Sequence, residues 1–94
     1  HRPNKLIVTR ELPITNKRGL HARAAARFVK IAEGFDARVE VGKDGETVSG
    51  TSILGLMMLA ASPGTTIMLR ADGPEAAAAL DALTELVANR FDEE

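Results

Sequence analysis

Apolar and polar residues alternate at the start of the chain. Leu6, Val8, Leu12 and Ile14 share one parity, interrupted by Arg10, and this period of two predicts a half-buried strand over Leu6–Ile14. Pro13 has no N–H for a ladder, so it predicts an edge position or a strand end. After a turn at Asn16–Gly19 the period changes. Between Ala22 and Glu33, Ala25, Phe28, Val29 and Ala32 recur at helical spacing while Arg23, Arg27 and Lys30 take other faces. That pattern predicts an amphipathic helix with Gly34 as its stop signal. Alternation returns at Ala37, Val39 and Val41, with Arg38 and Glu40 between them. Lys43-Asp44-Gly45 is a hairpin turn signal, and Glu46–Ser49 comes back as a short strand.

Ser52 is a suitable N-cap for a short helix over Ile53–Ala61, which Ser62-Pro63-Gly64 ends. Thr65–Ala71 turns Ile67, Leu69 and Ala71 inward as a fourth strand. Asp72-Gly73-Pro74 is a turn, and Glu75–Arg90 reads as a final amphipathic helix with Leu80, Leu83 and Val87 on one stripe. The predicted order is βαββαβα. Strands with one apolar parity and helices with one apolar stripe imply an α+β fold of two layers, an antiparallel sheet with helices on one face.

The middle helix is too apolar for a single buried stripe. If Leu56, Leu59 and Ala60 face the core, then Leu54, Met57 and Met58 come to the surface, and Ile53 joins them. A cluster of exposed apolar residues marks a docking patch, and methionine adapts to several partners.

Ninety-four residues bound the chain to one domain. We expect the domain at residues 6–91, between an N-terminal tail at 1–5 and an acidic tail at 92–94. The 45% hydrophobic and 27% charged content is that of a folded globular chain. The absence of cysteine excludes disulfide and thiol chemistry, and the two histidines, His1 and His21, cannot make a paired metal motif. Neither a metal nor a cofactor is therefore expected. The longest apolar run is too short to span a bilayer, and no charged-then-apolar leader opens the chain, so no membrane association and a cytoplasmic location are expected.

Charge changes the picture more than composition does. Lys17, Arg18, Arg23, Arg27 and Lys30 occupy the stretch Asn16–Ala32 with no acidic residue among them. From Asp72 to Glu94 only Arg90 opposes Asp72, Glu75, Asp81, Glu85, Asp92, Glu93 and Glu94. A basic run around a histidine favours an anion or an acidic partner. Nucleic acid is disfavoured, since three Phe with no Tyr or Trp leave no stacking platform.

The candidate chemistry sits in Gly19-Leu20-His21-Ala22-Arg23-Ala24-Ala25. A helix start offers unpaired N–H groups and the positive end of the helix dipole, so an anion is stabilised there. An imidazole at that place is a nucleophile beside a phosphate cradle, and Arg23 adds charge-assisted donors. A cation in the first helical turn is ordinarily disfavoured by about 0.3–1 kcal/mol, which suggests that the charge of Arg23 is wanted. The chemistry indicated is transient phosphorylation of His21. Ser52 is fully accounted for by capping.

Three segments carry a resemblance to a known family: Ile14-Thr15-Asn16-Lys17, the histidine run, and Thr51-Ser52-Ile53-Leu54-Gly55. Together they resemble HPr, the histidine phosphocarrier of the bacterial phosphotransferase system, over about Leu12–Val87. The Ile-Thr-Asn-Lys lead-in and the ending Phe91-Asp92-Glu93-Glu94 are similar to the nitrogen-branch paralogue NPr, whereas the segment around Ser52 is similar to HPr proteins regulated by a serine kinase. The resemblance implies an open-faced β-sandwich, a four-stranded antiparallel sheet covered on one face by three helices. It implies that His21 takes a phosphoryl group at Nδ1 from enzyme I and passes it to an enzyme IIA-type acceptor, with Arg23 stabilising that group. Ser52 would be modified by an HPr kinase/phosphorylase. Arg18, Ala22, Arg27, Ile53, Leu54, Met57 and Met58 would meet these partners, the chain acting as a monomer and a carrier without turnover of its own. One departure stands out: the family's proline after the motif arginine is Ala24 here.

A different class of function fits the same residues. A regulatory module that binds an anion or a partner non-covalently at the helix start would also need His21, Arg23 and the basic surround. Replacing His21 by Ala discriminates the two, because it abolishes a carrier but only weakens a backbone cradle.

Overall fold

The alternating segments become strands of one antiparallel sheet. The computed structural model describes residues 7–59 and 61–92. Within them run β1 (Ile7–Pro13), α1 (Ala22–Ala32), β2 (Arg38–Lys43), β3 (Glu46–Ser49), α2 (Ile53–Met58), β4 (Thr66–Asp72) and α3 (Ala76–Ala88), followed by a short turn at Arg90–Asp92. The strand order is β1-β4-β2-β3. Ile7 pairs with Asp72, Val39 with Ala71, and Val41 with Val48.

One parity of each strand builds the core. Leu12, Val39, Val41, Ile67, Leu69 and Ala71 are buried, as are Ala25, Phe28, Val29 and Ala32 of α1 and Leu80, Leu83 and Val87 of α3. The opposite parity (Thr9, Glu11, Thr66, Met68, Arg70) stays exposed, so the helices cover one face and leave the other open. This is the α+β arrangement predicted from periodicity. Pro13 ends β1, which is an edge strand, where its missing donor costs no ladder bond. Arg10, the residue that interrupts the apolar parity, reaches α3: its Nη1 donates to Asp81 Oδ1 at 2.9 Å and Thr84 Oγ1 at 3.1 Å. Between β2 and β3, Asp44 and Gly45 both have positive φ (52° and 84°), the two-residue turn that suits a right-twisted hairpin.

Two helix ends differ from expectation, that of the middle helix and that of the last. Leu6 and Ala60 lie outside the described residues. The middle helix stops at Met58 instead of Ala61, and the Ala61 carbonyl takes its hydrogen from Leu20. α1 does end before Gly34, but through shortened i→i+3 bonds, Gly34 N–H to Ile31 O and Phe35 N–H to Ala32 O, without a left-handed glycine. The last helix stops at Ala88, short of Arg90. Arg90, Phe91 and Asp92 follow with φ of 55°, 57° and 60°, a left-handed turn that folds Phe91 into the core at 0% exposure. Burying that ring, worth about 1.5–3 kcal/mol, offsets part of the local cost of three L-residues in this region, roughly 1–2 kcal/mol each.

Candidate functional site

The turn before α1 is built from residues that fasten each other. Gly19 adopts φ 64°, which only glycine adopts readily, and lets the chain reverse onto the segment behind α2. The N–H of Leu20 then donates to Ala61 O at 3.0 Å, and the buried Leu20 side chain anchors the turn to the core. Asn16, also buried, donates from Nδ2 to Gly19 O at 2.9 Å. Next door, Ile14 exchanges bonds with Thr65 O and the Gly64 N–H. The loop that presents the histidine is thus held on a rigid seat.

His21 is the N-cap of α1. Its backbone is extended (φ −77°, ψ 177°), its carbonyl accepts from Ala25 N–H at 2.8 Å, and its Nδ1 accepts from the backbone N–H of Arg23 at 3.3 Å. The accepting Nδ1 directs its lone pair toward the helix start. The imidazole is half-buried. A ring nitrogen therefore faces the N–H groups and dipole of α1, and α1 has no acidic residue in its first turn to compete for them.

The flanking cations converge on one cleft. Thr15, Asn16, Lys17 and Arg18 of the loop, Arg23 and Arg27 of α1, and Arg90 and Asp92 of the terminal turn line a cavity of about 450 Å³. Arg27 is half-buried and donates to the Phe91 carbonyl, so it fastens the left-handed turn to α1 as well as lining the cleft. Ala22 is exposed at the helix start.

Ser52 caps α2, its Oγ accepting from Gly55 N–H at 2.9 Å, and Ser49 Oγ and Thr51 Oγ1 bond each other alongside at 2.9 Å. Beyond the cap, Ile53, Leu54, Met57 and Met58 stand 42%, 68%, 40% and 71% exposed while Leu56 and Leu59 are buried. The apolar residues that one stripe cannot bury form an outward patch, as their excess predicts. Among the described residues no group of His, Cys, Asp and Glu is arranged to hold a metal ion, and no helix is long and apolar enough to cross a membrane.

Residues 8–89 match the family model described as the PTS HPr component phosphorylation site. The chain belongs to the HPr family. It is 51% identical over 84 residues to the phosphocarrier protein HPr of Pseudomonas aeruginosa, covering 88% of this chain and 93% of the relative. It is also 45% identical over 84 residues to the phosphocarrier protein NPr of Shewanella violacea, covering 89% and 92%. Among solved structures, HPr from Thermoanaerobacter tengcongensis superposes with a TM-score of 0.89 at 40% identity, covering 93% of this chain and 98% of that one. The fold is the open-faced sandwich of the HPr family, and the function class is that of a phosphocarrier of the bacterial phosphotransferase system.

Sequence reasoning passed over three residues that shape this HPr-family site. Asn16 was a plain turn residue, yet its amide bridges the turn; the Asn-x-x-Gly spacing is the signal that pointed to it. Arg90 ends the predicted last helix and Phe91 ends the expected domain. Their closure onto Arg27 is a long-range contact with no local signature.

Proposed function

We propose that His21 carries the phosphoryl group of this phosphotransferase-system protein, receiving it from enzyme I at Nδ1 and handing it to an enzyme IIA-type acceptor. The observation that carries the reading is the bond from Arg23 N–H to Nδ1. It aims the lone pair of that nitrogen at the helix start. In transfer the Nδ1 lone pair forms the new N–P bond while the donor's P–N bond breaks, and the donor imidazole leaves with that electron pair. The Arg23 N–H is then released to a phosphoryl oxygen, and the helix dipole and the Arg23 guanidinium stabilise the added charge. The protein orients and neutralises; it supplies no further chemistry, which keeps the phosphohistidine transferable in both directions.

In this reading the α2 patch (Ile53, Leu54, Met57, Met58) gives successive partners one shared apolar contact, and Ala22 and Arg18 frame the histidine for them. Arg27 acts mainly by holding the turn that completes the basic wall. Ser52 is the point of regulation by an HPr kinase/phosphorylase: a phosphate there adds negative charge to the rim of the patch while remaining compatible with the helix start. The carrier works as a cytoplasmic monomer, and its mixture of HPr-like and NPr-like features suits a mainly regulatory relay.

Intact mass after mixing the chain with phosphoenolpyruvate and enzyme I tests this directly. The expected result is a gain of one acid-labile phosphoryl group that is absent in His21→Ala. No gain, with the enzyme I shown active on another carrier, sinks the reading.

A further inference from the structure

The cleft beside the histidine collects far more positive charge than a phosphoryl group on His21 requires. Lys17 and Arg18 come from the loop, Arg23 and Arg27 from α1, and Arg90 from the terminal turn, with Asp92 as the one carboxylate among the lining residues. Among the described residues none of these five cations is ion-paired, although Arg10, Lys43 and Arg70 elsewhere all are. Like charges brought together repel one another, and the described lining residues supply only one carboxylate against them, so an added anion stabilises the arrangement. The wall holding Arg90 is built at a cost: three consecutive residues in the left-handed region, kept there by the buried Phe91 ring and the Arg27 bond to its carbonyl. A concave space of about 450 Å³ is the size of a small-ligand pocket, within the usual range of roughly 300–1,000 Å³.

We propose that this cleft is a non-covalent site for a small phosphate-rich anion, with a diphosphate group as the unit recognised. The donor set selects for phosphate. Four guanidinium forks match the paired oxygens of phosphoryl groups, and a lysine adds a point charge. Two linked phosphates bring roughly three to four negative charges, which balances five cations against one carboxylate; a lone carboxylate leaves most of the charge unmet. His21 does not line the cleft, so the site is distinct from the nucleophile. The two communicate through Arg23, whose side chain lines the cleft while its backbone N–H bonds His21 Nδ1. A ligand that engages the Arg23 guanidinium withholds it from a phosphoryl group on His21 and slows loading. This kinetic consequence rests on the carrier reading; the binding itself does not.

Calorimetric titration of the full chain with inorganic pyrophosphate, at physiological and matched ionic strength, tests the site without any transfer step. The expected result is saturable one-to-one binding that survives His21→Ala and weakens by about tenfold or more in both Arg90→Gln and Arg18→Gln, one from the terminal turn and one from the loop. Circular dichroism of each variant verifies that it is folded. Weak, non-saturating heat that is equal in all variants means charge screening only, and overturns the site. Loss in His21→Ala with retention in Arg90→Gln puts the anion at the helix start and overturns the cleft. No pyrophosphate binding, with an acidic peptide bound instead, assigns the charge to protein partners and overturns it equally. If binding holds while enzyme I fails to load the chain, the cleft stands and only the carrier reading falls.

Discussion

The N–H of Leu20 donates to the carbonyl of Ala61 at 3.0 Å, and the preceding Gly19 lies against that same carbonyl. A Cβ at position 19 would stand 2.2 Å from the Ala61 oxygen, an approach no relaxed backbone tolerates, and φ at this position is 64°. Gly19→Ala is therefore expected to cost at least about 2 kcal/mol, the left-handed penalty plus displacement of the turn. The urea midpoint measures it, and an unchanged midpoint would show that the turn adapts. Because the turn seats His21, phosphoryl uptake in this variant should fall more than stability alone accounts for.

Phe91 is the residue whose loss should be felt most in the fold. Its ring is fully buried although it follows the last helix and precedes acidic residues. Phe91→Ala removes the ring and leaves a cavity, at an expected cost of about 3–5 kcal/mol. Thermal unfolding followed by far-ultraviolet circular dichroism reads this out; a loss below about 1 kcal/mol would mean that the terminal turn packs only loosely.

Those two residues mark what could and could not be read along the chain. The hairpin at Lys43–Glu46 was legible because Asp-Gly specifies its own backbone, and the core parity of β2 and β4 was legible because burial repeats every second residue. The exposed patch of α2 followed from a simple excess of apolar residues over one stripe. His21 at a helix start was legible from its glycine and the alanine-rich run, and the N-cap geometry bears that out. What stayed hidden depends on distant residues. Arg27 looked like a surface cation because nothing near it in sequence announces the Phe91 carbonyl, and the burial of Phe91 was hidden because it needs a left-handed turn of non-glycine residues that no propensity favours.

Ala24, where the family resemblance leads one to expect proline, is the third residue of α1 and is fully buried. A first-turn N–H has no intrahelical partner, so proline there gives up little and pre-sets φ. Ala24→Pro should leave helix content unchanged and phosphoryl uptake within a few-fold of the parent, measured by intact mass over time. A parent that fails to load and a proline variant that does would show that alanine had disabled the site.

Ser52 can be separated into a cap and a regulatory point. Its Oγ accepts from Gly55 N–H, so Ser52→Ala should cost about 1 kcal/mol. Ser52→Asp keeps an acceptor at the cap and should preserve stability, while its charge at the edge of the patch slows loading by enzyme I. Denaturation and loading rate should therefore move independently in the two variants. If Ser52→Ala and Ser52→Asp load equally fast, charge at this position does not regulate transfer.

The exposed patch of α2 gives the sharpest test of how partners are engaged. Leu54 and Met58 are 68% and 71% exposed, so a glutamate at either place removes little buried apolar area, and stability should stay within about 0.5 kcal/mol. In a complex the same substitution sets a desolvated charge against an apolar partner surface, a penalty large enough to reduce association tenfold or more. Leu54→Glu and Met58→Glu should thus raise the KM of enzyme I for this chain while leaving kcat nearly intact. Leu56→Glu is the contrasting control: that side chain is buried in the core and its replacement should unfold the domain. An unaltered KM in both exposed variants would mean that enzyme I docks through the basic surface alone, leaving the methionine-bearing face to acceptors, for which the same two variants measured in the onward transfer step would then show the loss.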